Sequence, residues 1–151
     1  MLFRSENKGW SISAPVEKLT LGSWKKQKQP FYSWDVSYTK EYDVKDTSKS
    51  YTIQLNAWNG TVTEVYVNGE KAGIIGFDPY RLNIASYLKQ GKNQVEVRVI
   101  GSHKNLLGPH YNNPNPGLAS PWHWKNIRKQ IPGSDYQMLD YGLMEDFDLV
   151  Y

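Results

Sequence analysis

The sequence predicts an antiparallel β-sandwich, and three observations carry that expectation. Apolar and polar residues alternate with period two through much of the chain, as in strands with one buried face. Gly, Pro and Asn interrupt these runs at short intervals, the punctuation of hairpins and sandwich loops. No stretch of eleven residues or more repeats convincingly with a helical period.

Taken in order, the first thirty residues are the least regular. One strand is expected near "WSIS", Trp10 to Ser13, because the last strand of a closing sandwich needs a neighbour. "KKQK", Lys25 to Lys28, is the one basic cluster and reads as a solvated turn. "WDVSYTKEYDV" then sets Trp34, Val36, Tyr38, Lys40, Tyr42 and Val44 on one face, with Lys40 the exception among apolar neighbours. "YTIQLNAW" turns Tyr51, Ile53, Leu55 and Ala57 inward and Thr52, Gln54 and Asn56 outward. "TEVYVNGEKAGII" reads as two strands around Asn68-Gly69, a pair that tolerates positive φ at both centres of a type I′ turn. "PYRLNIASYLKQGKN" breaks the alternation: Asn83 to Leu88 is expected to form a helical turn that Gly91 stops. "QVEVRVI" aligns Val95, Val97 and Val99, and "EDFDLVY" aligns Phe147, Leu149 and Tyr151.

Composition bounds the function. A chain of 151 residues can bury a core of its own and is expected to form one domain, residues 1–151. The net charge of +3 comes from 18 basic and 15 acidic residues spread evenly, which argues against a nucleic-acid partner. No apolar run reaches the roughly 20 residues of a membrane helix, so no membrane partner is expected, and "MLFRSENKGWSIS" has no signal-peptide core. The absence of Cys excludes disulfides and thiolate metal sites. Aromatics reach 14%, with eleven Tyr and six Trp. That excess suits contact with sugars or another domain, and it equally suits β-sheets.

The order of these elements resembles the sugar-binding jelly-roll domain of family 2-type glycoside hydrolases, and more broadly the galactose-binding-like β-sandwich. The residues that carry the resemblance are the hairpin Val65, Val67, Asn68, Gly69, Gly73 and the turn Asn83, Ile84, Tyr87, Leu88, Lys89, Gly91, Asn93. The match runs from about residue 33 to 101, and "GLMEDFDLVY" resembles the closing strand of C-terminal versions. Asn83 departs from the Asp of that pattern; it keeps the capping oxygen and loses the charge. In the physical reading, Leu82, Ile84 and Leu88 plug one end of the sandwich. The resemblance implies an accessory domain, a C-terminal fragment of a larger polysaccharide-degrading enzyme, acting in carbohydrate binding or in support of the catalytic domain. It also implies a periplasmic or extracellular location and allows a structural calcium, with Asp35, Asp146 or Asp148 as contributors. A purely structural sandwich without ligand and a small stand-alone hydrolase are the alternatives.

The chemistry-bearing residues lead to no catalytic site. A glycosidase needs two carboxylates flanking one bond, and Glu145 and Asp146 are adjacent on an expected strand, so they face opposite ways. His103, His110 and His123 match no compact zinc spacing. The candidate binding residues fall in two places. The first is "LLGPHYNNPNPGLASPWHWKN", stiffened by Pro109, Pro114, Pro116 and Pro121 and carrying His110, Asn113, Trp122, His123 and Trp124. Its tryptophans either stack a sugar ring, dock onto a neighbouring domain, or fold back over the core. The second is "GFDPYR", where Asp78, Tyr80 and Arg81 either meet hydroxyls or, for the two charges, pair with each other.

Overall fold

A computed structural model describes residues 2–6, 9–13, 18–108, 110 and 136–151. It is an antiparallel β-sandwich. Eleven strands lie within the described residues: β1 (Leu2–Glu6), β2 (Gly9–Ser13), β3 (Asp35–Val44), β4 (Thr52–Gln54), β5 (Trp58–Asn59), β6 (Val62–Val67), β7 (Glu70–Ile75), β8 (Arg81–Asn83), β9 (Gly91–Ile100), β10 (Gly142–Leu143) and β11 (Asp148–Val150). A 3-10 turn spans Ala85–Tyr87 and a single helical turn, α1, spans Lys104–Leu107.

One layer is the four-stranded sheet β3-β9-β6-β7. The other is β11-β4-β8, which β10-β5 extends. These two pieces are one ribbon broken at a bulge: Ala57 O accepts from both Met144 N (2.8 Å) and Glu145 N (3.0 Å), so two residues oppose one. Between the layers, Val95, Val97, Val99, Val65 and Val67 pack toward Ile53, Leu55, Ile84, Leu143 and Phe147, all fully buried or nearly so. β-branched side chains dominate the four-stranded sheet because they pack well on a pleated surface.

The expected turns have the expected chemistry. Asn68 and Gly69 take φ of 53° and 85°, the left-handed pair of a type I′ hairpin. Asn83 Oδ1 accepts from Ala85 N at 3.0 Å, so the neutral side chain caps the turn. Ile84 and Leu88 are buried and Leu82 packs against the core. Lys25 to Lys28 lie in a turn.

Lys40 does lie on the inward side of β3. Its ammonium reaches the rim of the core, where it donates to Asp146 Oδ2 (3.0 Å) and Phe147 O (3.1 Å) over the Phe147 ring. A long stem buried under a paired head satisfies both ends of the side chain.

Three expectations need correction. Trp34 does not share the buried face of β3; it precedes the strand and is 68% exposed. Tyr151 lies beyond β11 and is 76% exposed, so it does not join Phe147 in the core. A strand does form around "WSIS", but β2 pairs with β1 in a sheet of their own. The last strand, β11, pairs instead with β4, Asp148–Val150 against Gln54–Thr52.

The open end of the sandwich beside β5 and β10 is closed by the strap of residues 18–32. Its anchor is Trp24, 1% exposed, whose Nε1 donates to the Tyr38 hydroxyl at 2.9 Å. Gly22 N and Trp24 N donate to Leu143 O and Tyr141 O, stitching the strap to β10.

Candidate functional site

At this same end lies an open cleft of about 480 Å³. Trp58, Asn59, Thr61, Tyr80, Asp140 and Tyr141 are among the residues that line it. Local structure places several of them. Trp58 pairs with the buried Leu143 and packs in part against the core, which sets its indole at the rim. Gly60 lets the chain turn there: a Cβ would come within 2.8 Å of Ile100 O and 2.9 Å of a Val99 methyl carbon. Thr61 then joins the edge of β9, with N to Ile100 O (2.8 Å) and Oγ1 to Gly101 O (2.9 Å).

Tyr80 comes from the loop between β7 and β8, after the cis Asp78-Pro79 bond. Its carbonyl accepts from Leu55 N at 3.0 Å. Its ring meets Trp58 edge-on, at 5.6 Å and 87°. Two aromatic surfaces at a right angle therefore form one corner of the cleft. Trp58 Nε1 is buried and has no acceptor among the described residues.

Asp140 supplies the charge. Ser23 Oγ donates to Oδ1 at 2.5 Å and Lys25 Nζ to Oδ2 at 3.1 Å. The Ser23 hydrogen bond, against a smaller opposing effect of burial and with help from Lys25, holds its pKa below the ordinary aspartate value. The carboxylate is thus an ionised acceptor fixed from behind. Tyr141 is fixed through its hydroxyl, 2.5 Å from Ser102 Oγ. Aromatic faces beside a fixed carboxylate, an amide and hydroxyls are suited to a ring that is apolar on its faces and hydroxylated at its edge.

Of the candidates read from the sequence, Tyr80 lines this cleft. Asp78 and Arg81 are exposed beside it, and among the ion pairs of the described residues none joins them. His110 is half-buried in a neck: its Nε2 lies 2.7 Å from Asn105 O, its ring stacks on Tyr136 at 4.9 Å, and Gln137 N donates to its carbonyl. Asn113, Trp122, His123 and Trp124 lie outside the described residues, as do Pro109, Pro114, Pro116 and Pro121. The calcium candidates are occupied separately: Asp35 pairs with Arg98, Asp146 with Lys40, and Asp148 accepts from Asn56. Among the described residues no three metal-ligating side chains cluster.

Trp58, Asn59, Thr61, Asp140 and Tyr141 were not singled out from the sequence. For Trp58 a signal was present, since an aromatic at a strand end before Asn-Gly is a rim position.

The chain is 36% identical over 75 residues to a Formosa agariphila protein that carries β-glucuronidase as a provisional name, a match covering 47% of this chain and 9% of that protein. A second protein of the same organism and provisional name is 26% identical over 112 residues, covering 65% of this chain and 10% of its own length. In structure, a rhamnosidase from a Novosphingobium species is similar at a TM-score of 0.57 and 22% identity, over 85% of this chain and 12% of that chain. That likeness is one of fold. No family model matches the chain. The chain spans about a tenth of the length of these relatives, so it is similar to one domain-sized part of glycoside hydrolases.

Proposed function

We propose that the chain is a non-catalytic accessory domain of a glycoside hydrolase, a galactose-binding-like jelly roll that binds carbohydrate in the Trp58–Tyr80–Asp140 cleft. One observation carries the reading: similarity to proteins named as β-glucuronidases is confined to about a tenth of their length. A unit shared on that scale is a module of the enzyme. Its carboxylates support the same reading. Asp140 is tied to Ser23 and Lys25, and Asp146 to Lys40, so neither is presented as a free acid facing a second across a bond. The parent enzyme works in the periplasm or outside the cell, where polysaccharides are met.

The cleft offers a stacking surface and fixed acceptors, the chemistry that a sugar ring needs. A single platform contributes on the order of 1–3 kcal/mol by analogy with bases stacked on aromatic side chains, so affinity for a monosaccharide is weak, about millimolar.

A second reading is support of the catalytic domain without sugar. Phe77 is 90% exposed and Leu107 72% exposed, large apolar side chains of the kind that another domain covers.

Calorimetric titration with neutral oligosaccharides tests the first reading. Binding that Tyr80→Ala and Asp140→Asn each weaken at least about tenfold supports it. Absence of binding at tens of millimolar leaves the supporting role. Turnover of aryl glycosides by the purified chain, lost on mutating Glu145 or Asp146, overturns the non-catalytic assignment.

A further inference from the structure

A second depression, of about 280 Å³, lies across the outer side of the four-stranded sheet, where β3, β9 and β6 meet. Trp34, Asp35, Glu64, Arg98 and His103 are among its lining residues. Trp34 is the feature that demands an account. Its indole is 68% exposed, although its backbone is held by Gly101 N donating to Trp34 O at 2.9 Å. An indole kept in water beside a depression leaves a large apolar face uncovered.

The polar groups beside it are already organised. Arg98 lies over Tyr66, its guanidinium carbon 4.6 Å from the ring centroid. Its Nε and Nη2 are held by Glu96 Oε1 at 3.1 and 2.9 Å, with Ser37 Oγ at 3.3 Å and Asp35 Oδ2 at 3.4 Å. Nη1 makes no hydrogen bond among the described residues; Glu64 Oε2 stands 4.0 Å away. Glu64 is itself held by Lys71 (2.5 Å) and the Tyr66 hydroxyl (2.8 Å), and these two hydrogen bonds keep its pKa below the ordinary value. Asp35 Oδ1 accepts no hydrogen bond among the described residues.

A guanidinium with a spare donor edge next to a carboxylate with a spare acceptor matches a vicinal diol. A hydroxyl accepts from Nη1 and donates to the carboxylate, and no charge is stranded. The charges around the depression disfavour an anionic partner. Asp35, Glu64 and Glu96 supply three negative charges against the two positive charges of Arg98 and Lys71.

We propose that Trp34 and the Arg98–Asp35 pair form a second carbohydrate platform, which takes a neutral sugar ring by stacking and by a vicinal diol. The platform rests on the reading of the domain as carbohydrate-binding, and it makes the domain bivalent, with one site at the loop end and one on the sheet. Two weak sites on one domain raise the avidity for a polysaccharide without strengthening either contact.

The test is a nuclear magnetic resonance titration of the indole N–H signals, each assigned by replacement with Phe. The probes are the methyl glycosides of glucose, galactose, mannose and rhamnose, with methyl β-glucuronide as the charged comparison. The expected result is saturable movement of the Trp34 signal with at least one neutral glycoside. Trp34→Ala should weaken that site about fivefold or more, read from the backbone amide signals around Arg98, since loss of one stacking face corresponds to that factor or more. Such an exposed substitution leaves folding intact, and the Trp58 signal should titrate as before. Movement of Trp58 alone overturns the second platform and leaves the proposed function standing. Movement of Trp34 alone supports the platform and removes the cleft. Tighter binding of the glucuronide at Trp34 overturns the neutral-ligand assignment. No movement with any glycoside overturns both sites.

Discussion

The Trp24 indole donates to the Tyr38 hydroxyl at 2.9 Å inside the core, and the same oxygen lies 3.3 Å from Leu143 N. One phenol thereby joins the strap, β3 and β10. Tyr38→Phe keeps the ring and leaves two buried N–H groups without their acceptor, which costs about 1–3 kcal/mol. Urea denaturation should show a lowered midpoint with an unchanged slope.

Asn93 is 1% exposed at the start of β9 and spends its amide on the turn before it. Its Oδ1 accepts from Lys89 N and Asn68 Nδ2, both at 2.9 Å, and its Nδ2 donates to Lys89 O and Gly91 O. Asn93→Asp is nearly isosteric and sets a carboxylate against two carbonyls. The expected loss is about 2–4 kcal/mol, read by thermal or urea unfolding. Asn68→Gly, which keeps the left-handed turn and removes two hydrogen bonds, the one to Asn93 and the one that Asn68 Oδ1 accepts from Gln94 N, should cost less.

Lys40 loses by burial and gains by its hydrogen bond to Asp146, and the net effect raises its pKa above the ordinary lysine value. A raised folded pKa means that the ammonium's contribution is complete below about pH 10.4 and disappears as pH rises through the folded value. Lys40→Met keeps the stem and removes the charge. It should cost about 0.5–1 kcal/mol at neutral pH, and its stability should fall less than that of the parent chain in alkaline titrations above pH 10.4.

Asp140 has the opposite sign. Its folded pKa is depressed, so its contribution is complete above the ordinary aspartate value of about 3.9 and is lost as pH falls through the lower folded value. Asp140→Asn should be less stable than the parent chain at pH 6 and should converge with it in acid. Parallel melting curves from pH 6 to 2 check this, and a constant gap would show that the carboxylate's charge contributes nothing.

Features that depend on neighbours along the chain were readable from the residues alone. Alternation sorts Tyr51, Ile53 and Leu55 inward because successive side chains leave a strand on opposite sides. Asn68-Gly69 makes its hairpin because that dipeptide accepts positive φ twice. Tyr80 was legible as a loop-end residue because "GFDPYR" follows the hairpin.

Features that depend on distant partners emerged only with the packed fold. The alternation that reads Val36 to Val44 correctly fails at Trp34, because the strand begins one residue later and period two holds only inside it. That β11 pairs with β4 rather than with the N-terminal hairpin is a choice among unpaired edges, which any strand of suitable length satisfies locally. The cleft needs Trp58, Tyr80 and Asp140, separated by 22 and 60 positions, to meet at one end of two sheets. Local propensity carries no information over such separations. Only the packing of the sheets, and the strap that Trp24 pins across their end, brings these side chains together.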